Sequence, residues 1–155
     1  MVFNHELMRG SHGNAGEIGL IIPKKIYGHP NLELLRQLAV KDGIDVDSIS
    51  SLLDEFDMEW PAVGQWITHS REPLSLMVSA LAATHDPQAI IIGGRIPKAL
   101  VKRIIPDIEI YDDIRVMQPR PLPRVIVSEV DGDACSIGAA VLPLMKRFFP
   151  RSDED

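Results

Sequence analysis

The run Asp86-Pro87-Gln88-Ala89-Ile90-Ile91-Ile92-Gly93-Gly94 constrains this chain more than any other stretch. Four consecutive apolar residues, three of them β-branched, lie between an Asp-Pro turn and a glycine pair. Such a run reads as a strand covered on both faces. Pro97 follows where proline suits the first turn of a helix, because its missing N–H has no helical partner there. Strand, glycine turn and helix in succession specify an α/β fold.

The flanking sequence extends that pattern. Val2 to Arg9 alternates roughly and leads into Gly10-Ser11-His12-Gly13, a strand and then a turn. Ile18 to Ile22 is expected to be a second short strand ended by Pro23, and Lys24 to Pro30 a loop. Asn31 is placed to cap a helix with the stripe Leu32, Leu34, Leu35 and Leu38 before Gly43. Asp47 or Ser48 could cap the next helix, through Ile49, Leu52, Leu53 and Phe56. From Pro61 to about Thr84 apolar residues recur with a helical period, and Pro73 predicts a break or kink near Glu72. Asp113 to Met117 and Arg124 to Val130 read as further strands. Asp131-Gly132-Asp133 then opens a last helix running to about Phe148, whose Gly138, Ala139 and Ala140 would let it lie close to a sheet or a partner helix. Residues 1–150 are read as one domain and 151–155 as a loose acidic tail.

Composition limits the function. Among 155 residues the net charge is -6 and the basic residues are scattered, which argues against a nucleic-acid face built from clustered Lys and Arg. No apolar run reaches the ~20 residues that span a bilayer, and the first residues lack the pattern of a signal peptide. The single Cys135 can form no internal disulfide and sits among small residues, so it is predicted to be a buried, inert thiol in a cytoplasmic protein. His69, His85, Trp60 and Trp66 are assigned to packing and surface, since no catalytic or metal-ligand spacing recommends them. His29 is assigned to the surface.

Four pieces in order, "RGSHGNAGEIG", "NLELL", "DPQAIIIGGRIP" and "GDACSIGAAVLPL", resemble the ROK family of bacterial sugar kinases and transcriptional repressors. The ending "IGAAVLPL" is more like the repressor branch. The resemblance covers nearly the whole chain and corresponds to the second half of a ROK protein. It implies the C-terminal subdomain of a ribonuclease H-like, actin-like ATPase fold: a mixed sheet with packed helices. The family's first phosphate loop, its catalytic aspartate and the repressors' helix-turn-helix belong to the preceding half and have no counterpart in these residues. The resemblance therefore implies a sugar- or amino-sugar-binding, regulatory domain without catalysis of its own. ATP and Mg would enter only if a complementary N-terminal half supplied the rest of a kinase. A homodimer, or a dimerisation module without ligand, is the other implied form.

The same resemblance assigns sites. Glu17 matches the family's sugar-contacting glutamate, and an ionised carboxylate can accept hydrogen bonds from two adjacent sugar hydroxyls. Glu33 falls where the family has a second such glutamate, although a glutamate also favours the first turn of a helix. Asn14 and His12 lie on the same turn as Glu17. Gly93 and Gly94 match the turn against the adenosine of ATP, although any α/β unit needs a tight turn there. Leu20 stands where the family has a zinc-linked histidine, and the downstream cysteines are absent, so no zinc site is expected.

Overall fold

The computed structural model describes residues 2–3, 6–112, 121–130 and 132–149. Two short strands, β1 (Val2–Phe3) and β2 (Glu6–Leu7), form an antiparallel pair in place of the single strand expected over Val2 to Arg9. Ile18–Ile21 is a 3-10 turn, so the strand expected from Ile18 to Ile22 does not form. Apolar alternation is too short a signal here: the glycines and the hydrogen bonds from the Leu20 and Ile22 N–H groups back to Glu17 and Gly19 curl the segment.

Helix α1 (Leu32–Lys41) begins as the sequence predicts, with Asn31 Oδ1 accepting from the Leu34 N–H at 2.9 Å. Helix α2 (Ile49–Asp54) is capped by Ser48, and Ser51 returns the bond to the Ser48 N–H in a reciprocal box. Helix α3 (Pro61–His85) is the backbone of the molecule and continues through Pro73, so of the break or kink expected near Glu72 the break does not occur. Pro73 is buried, so packing holds the helix together across the hydrogen bond that proline removes.

The core is helical. Leu35, Leu38 and Ala39 of α1, Leu52 of α2, and Ala62, Val63, Trp66 and Ile67 of α3 form one cluster with Val46 and with Leu100 and Ile104 of α4 (Lys98–Ile104). Trp66 is fully buried, and its indole N–H donates to the Asn31 carbonyl at 2.9 Å, which ties α3 to the start of α1. Beyond α4, a short 3-10 turn (Ile105–Asp107) leads a segment along α3, where Ser75 and Ser79 hydroxyls accept from the Glu109 and Tyr111 N–H groups.

Strands β3 (Ala89–Ile92) and β4 (Arg124–Val127) pair in parallel with Ile90 opposite Val125 and Ile91 opposite Ile126. The connection through α4 makes this a β-α-β unit, as the strand–glycine–helix pattern predicts. The strand expected to reach Val130 stops at Val127. Coverage differs from expectation: Ile90 is buried, but Ile91 is 63 % and Ile126 36 % exposed, so one face of the sheet is bare. Helix α5 (Ala134–Phe148) starts at Asp133, whose carboxylate accepts from the Cys135 and Ser136 N–H groups. Cys135 is exposed, not buried as predicted, because α5 makes at most a marginal contact with any other element among the described residues. The predicted strand at 113–117, Asp131 and the acidic tail 151–155 lie outside the described residues.

Candidate functional site

The glycine-rich segment forms a closed surface loop. The Ala15 N–H donates to the Arg9 carbonyl at 3.2 Å, and the Glu17 N–H to the Asn14 carbonyl at 3.1 Å. Gly10 permits the closure: it has φ +70°, and a side chain there would press on the Ala15 methyl at 3.2 Å. The loop presents His12, Asn14 and Glu17 to solvent within six residues, so these three candidates share one surface. Glu17 is the residue at the head of the 3-10 turn, and its side chain makes no capping bond to that turn. Its carboxylate is directed to no hydrogen-bond partner among the described residues. Leu20, three residues later, is 74 % exposed, so the same segment also shows an apolar side chain to solvent.

Glu33 is held differently. Arg36 grips its carboxylate with two bonds, Nε to Oε2 at 2.9 Å and Nη2 to Oε1 at 2.7 Å, and Gln37 Nε2 donates to Oε1 at 3.0 Å. These bonds, Arg36 first and Gln37 second, hold the carboxyl well below the usual range, at about 2. A planar guanidinium facing a carboxylate satisfies both oxygens, so Glu33 has little acceptor capacity left. The first-turn reading of Glu33 is thus visible in the geometry. The 3-10 turn after Glu17 and helix α1 both pack on α3, which carries the two glutamates on one support. Sequence reasoning passed over Arg36, although a glutamate three residues before an arginine on a helix is the signal for such a pair.

The two glycines after β3 divide their tasks. A Cβ on Gly93 would lie 2.5 Å from Ser128 Cβ, so its absence lets β3 and the end of β4 approach. Gly94 has φ +101° and open space around it. It lines an open cavity of about 340 Å³ together with Phe56, Arg95, Ile96, Lys98 and Gly132. Lys98 Nζ donates to the Glu129 carbonyl at 3.0 Å, and Arg95 helps keep the Asp133 carboxyl below its ordinary range, after the Ser136 hydroxyl and the backbone N–H bonds. Arg95 and Lys98 are the charged groups that the glycine motif alone did not point to.

Of the other described histidines, His69 and His85 are exposed on α3. His29 is half-buried with Nε2 enclosed and unpaired, a correction to its expected place on the surface, and Ser70 Oγ is likewise enclosed on α3. Among the described residues no group of three His, Cys, Asp or Glu is placed to hold a metal. No described helix is long and apolar enough to cross a membrane.

No family model matches the chain, and no solved structure matches it significantly. The chain is 28% identical over 145 residues to a protein of Sinorhizobium fredii (strain NBRC 101917 / NGR234) that carries the name uncharacterized protein y4fQ. The match takes in 90% of this chain and 36% of the relative, so the chain spans about a third of that protein's length.

Proposed function

We propose that the chain is a sugar- or amino-sugar-binding, regulatory lobe of the ROK type, built on the C-terminal subdomain of a ribonuclease H-like fold and without catalysis of its own. The observation that carries this reading is Glu17: a carboxylate without a hydrogen-bond partner among the described residues, raised on a glycine loop beside Asn14 and His12. Two adjacent ring hydroxyls would donate to its oxygens, and the exposed Leu20 would meet an apolar C–H face of the ring. Asn14 offers both a donor and an acceptor to a third hydroxyl or to an N-acetyl group. Each charge-assisted bond of this kind contributes roughly 1.5–3 kcal/mol. Glu33 would support the site only through α1, since Arg36 and Gln37 occupy its oxygens.

The second reading is the adenosine-facing half of an ATP-dependent sugar kinase whose N-terminal half is a separate segment. It is favoured by the open cavity at Gly94 and its two cations. Gly94 leaves room for a flat base, whereas the place a Gly93 side chain would take is filled by Ser128. Phosphoryl transfer would need metal-bound phosphates and a base, which the N-terminal half of such a kinase would have to supply.

Thermal unfolding with a panel of hexoses and N-acetylhexosamines at millimolar concentration tests the first reading, because a ligand that binds the folded state raises the midpoint by mass action. A midpoint rise with one sugar, weakened about ten- to a hundredfold in concentration dependence by Glu17→Ala, is the expected result. A rise with ATP alone, lost in a Gly94→Val variant and retained in Glu17→Ala, would favour the second. No movement with any sugar would sink the first.

A further inference from the structure

The large apolar residues of α5 keep a helical spacing. Ile137, Val141, Leu144, Met145 and Phe148 recur at intervals of three and four and form one stripe, each of them 42–62 % exposed. The opposite line carries Ser136, Ala139 and Arg147. The helix is thus two-sided, and among the described residues no element makes more than a marginal contact with it. The parallel pair offers a matching face. Ile91 and Ile126 lie opposite each other in register, on the side away from the buried Ile90. Alternation along the chain puts Arg124 and Leu122 on that same side, and Leu122 is 42 % exposed. At the start of the strands lies an open cavity of about 420 Å³ lined by Pro87, Pro121, Leu122 and Arg124.

The two surfaces agree in size. Ile137 to Phe148 spans about 16 Å at the rise of an α-helix, and Leu122 to Val127 about 16 Å of extended chain. Two strands about 5 Å apart suit the width of one helix, which is about 10 Å. Parallel strands occur almost only where both faces are covered, and a helix after a strand ordinarily returns across the sheet it has left. Gly132, with φ +76°, stands immediately before the Asp133 cap, where a side chain would resist the turn.

We infer that α5 is a latch, hinged at Gly132, that closes antiparallel to the strands onto Ile91 and Ile126 of its own chain. Val141 and Leu144 then meet the two isoleucines, and Phe148 enters the cavity beside Pro87 and Leu122. Ser136, Ala139 and Arg147 stay in solvent, and so does Cys135, which lies off the stripe. Closure takes out of water the apolar surface that an open latch offers to other molecules, so the latch sets how adhesive the chain is. Sugar binding plays no part in this arrangement, and its failure would leave the latch standing.

Methyl NOEs in the native chain read the latch directly. In the closed form Val141 or Leu144 methyls lie within about 4.5 Å of the Ile91 or Ile126 side chains. Disulfide trapping gives a second readout. In a Cys135→Ser background, Ile126→Cys with Val141→Cys should oxidise within one chain at least tenfold faster than Ile126→Cys with Ala139→Cys, whose second position faces solvent. Ile91→Glu should abolish the NOEs and raise amide exchange across residues 137–148 about tenfold, while exchange around Trp66 stays unchanged. Absence of the NOEs in the native monomer, or equal oxidation of the two cysteine pairs, would overturn the inference. Crosslinks that form only between chains would assign the stripe to a second copy, and protection of α5 only on phosphatidylcholine vesicles would assign it to lipid; either overturns the latch.

Discussion

Two glutamates sixteen residues apart in sequence differ in what their neighbours leave free. Glu17 stands on a loop whose backbone groups satisfy one another, so its oxygens face solvent. Glu33 is clasped by Arg36 and Gln37. Its carboxyl titrates at about 2, below its usual 4.5, so the pair's support of α1 is complete above roughly pH 4.5 and disappears as pH falls towards 2. Arg36→Ala should return the Glu33 titration, followed by carboxyl NMR shifts, to near the ordinary range; an unchanged titration would place the cause elsewhere. At Gly93 the steric conflict with Ser128 is with a short side chain beside a strand, which cannot swing away. Gly93→Ala should therefore destabilise the chain by about 1–3 kcal/mol in urea unfolding, as overpacking does, and Ser128→Gly should recover part of that loss. A neutral Gly93→Ala would assign the glycine to ligand approach alone.

Elements defined by their own local chemistry were legible in the sequence, and those defined by neighbours were not. Asn31 and Ser48 cap α1 and α2, and the Gly-Gly turn separates β3 from α4, because side chain and backbone meet within a few residues. The 3-10 turn at Ile18–Ile21 was hidden by its apolar letters, since five residues carry too little period to separate a strand from a curl. Helix continuity through Pro73 depends on burial of that proline, which no local rule supplies. The Asn31 cap sits at a junction, for its side chain holds the Leu34 N–H while its carbonyl accepts from Trp66. Asn31→Ala should remove the side-chain bond alone and cost about 1 kcal/mol in denaturant midpoint experiments. A loss of several kcal/mol would mean that the backbone at residue 31 had moved as well.

Across the whole molecule, stability and the open surfaces lie in different places. The core of α1, α2, α3 and α4 centres on Trp66, so Trp66→Ala should cost about 3–5 kcal/mol, measured by chemical unfolding. The sheet and α5 contribute little to that core, and the apolar run at Ala89–Ile92 signals coverage that the described chain provides on one side only. The prediction of a buried Cys135 failed for the same reason: small, apolar neighbours mark a site meant for packing, and among the described elements none packs on α5. The candidate site was legible in Glu17, Asn14 and His12, which share a loop, while the occupation of Glu33 by Arg36 had to be seen in three dimensions.

The central claim is that the glycine loop at Glu17 still receives a sugar, and amide NMR of the chain during titration with hexoses and N-acetylhexosamines tests it residue by residue. The account predicts saturable shifts confined to residues 10–20 for at least one sugar, abolished by Glu17→Ala while Arg36→Ala leaves them in place. Amides of that loop that stay unmoved by every sugar at tens of millimolar, or that move equally in the Glu17→Ala variant, would contradict it.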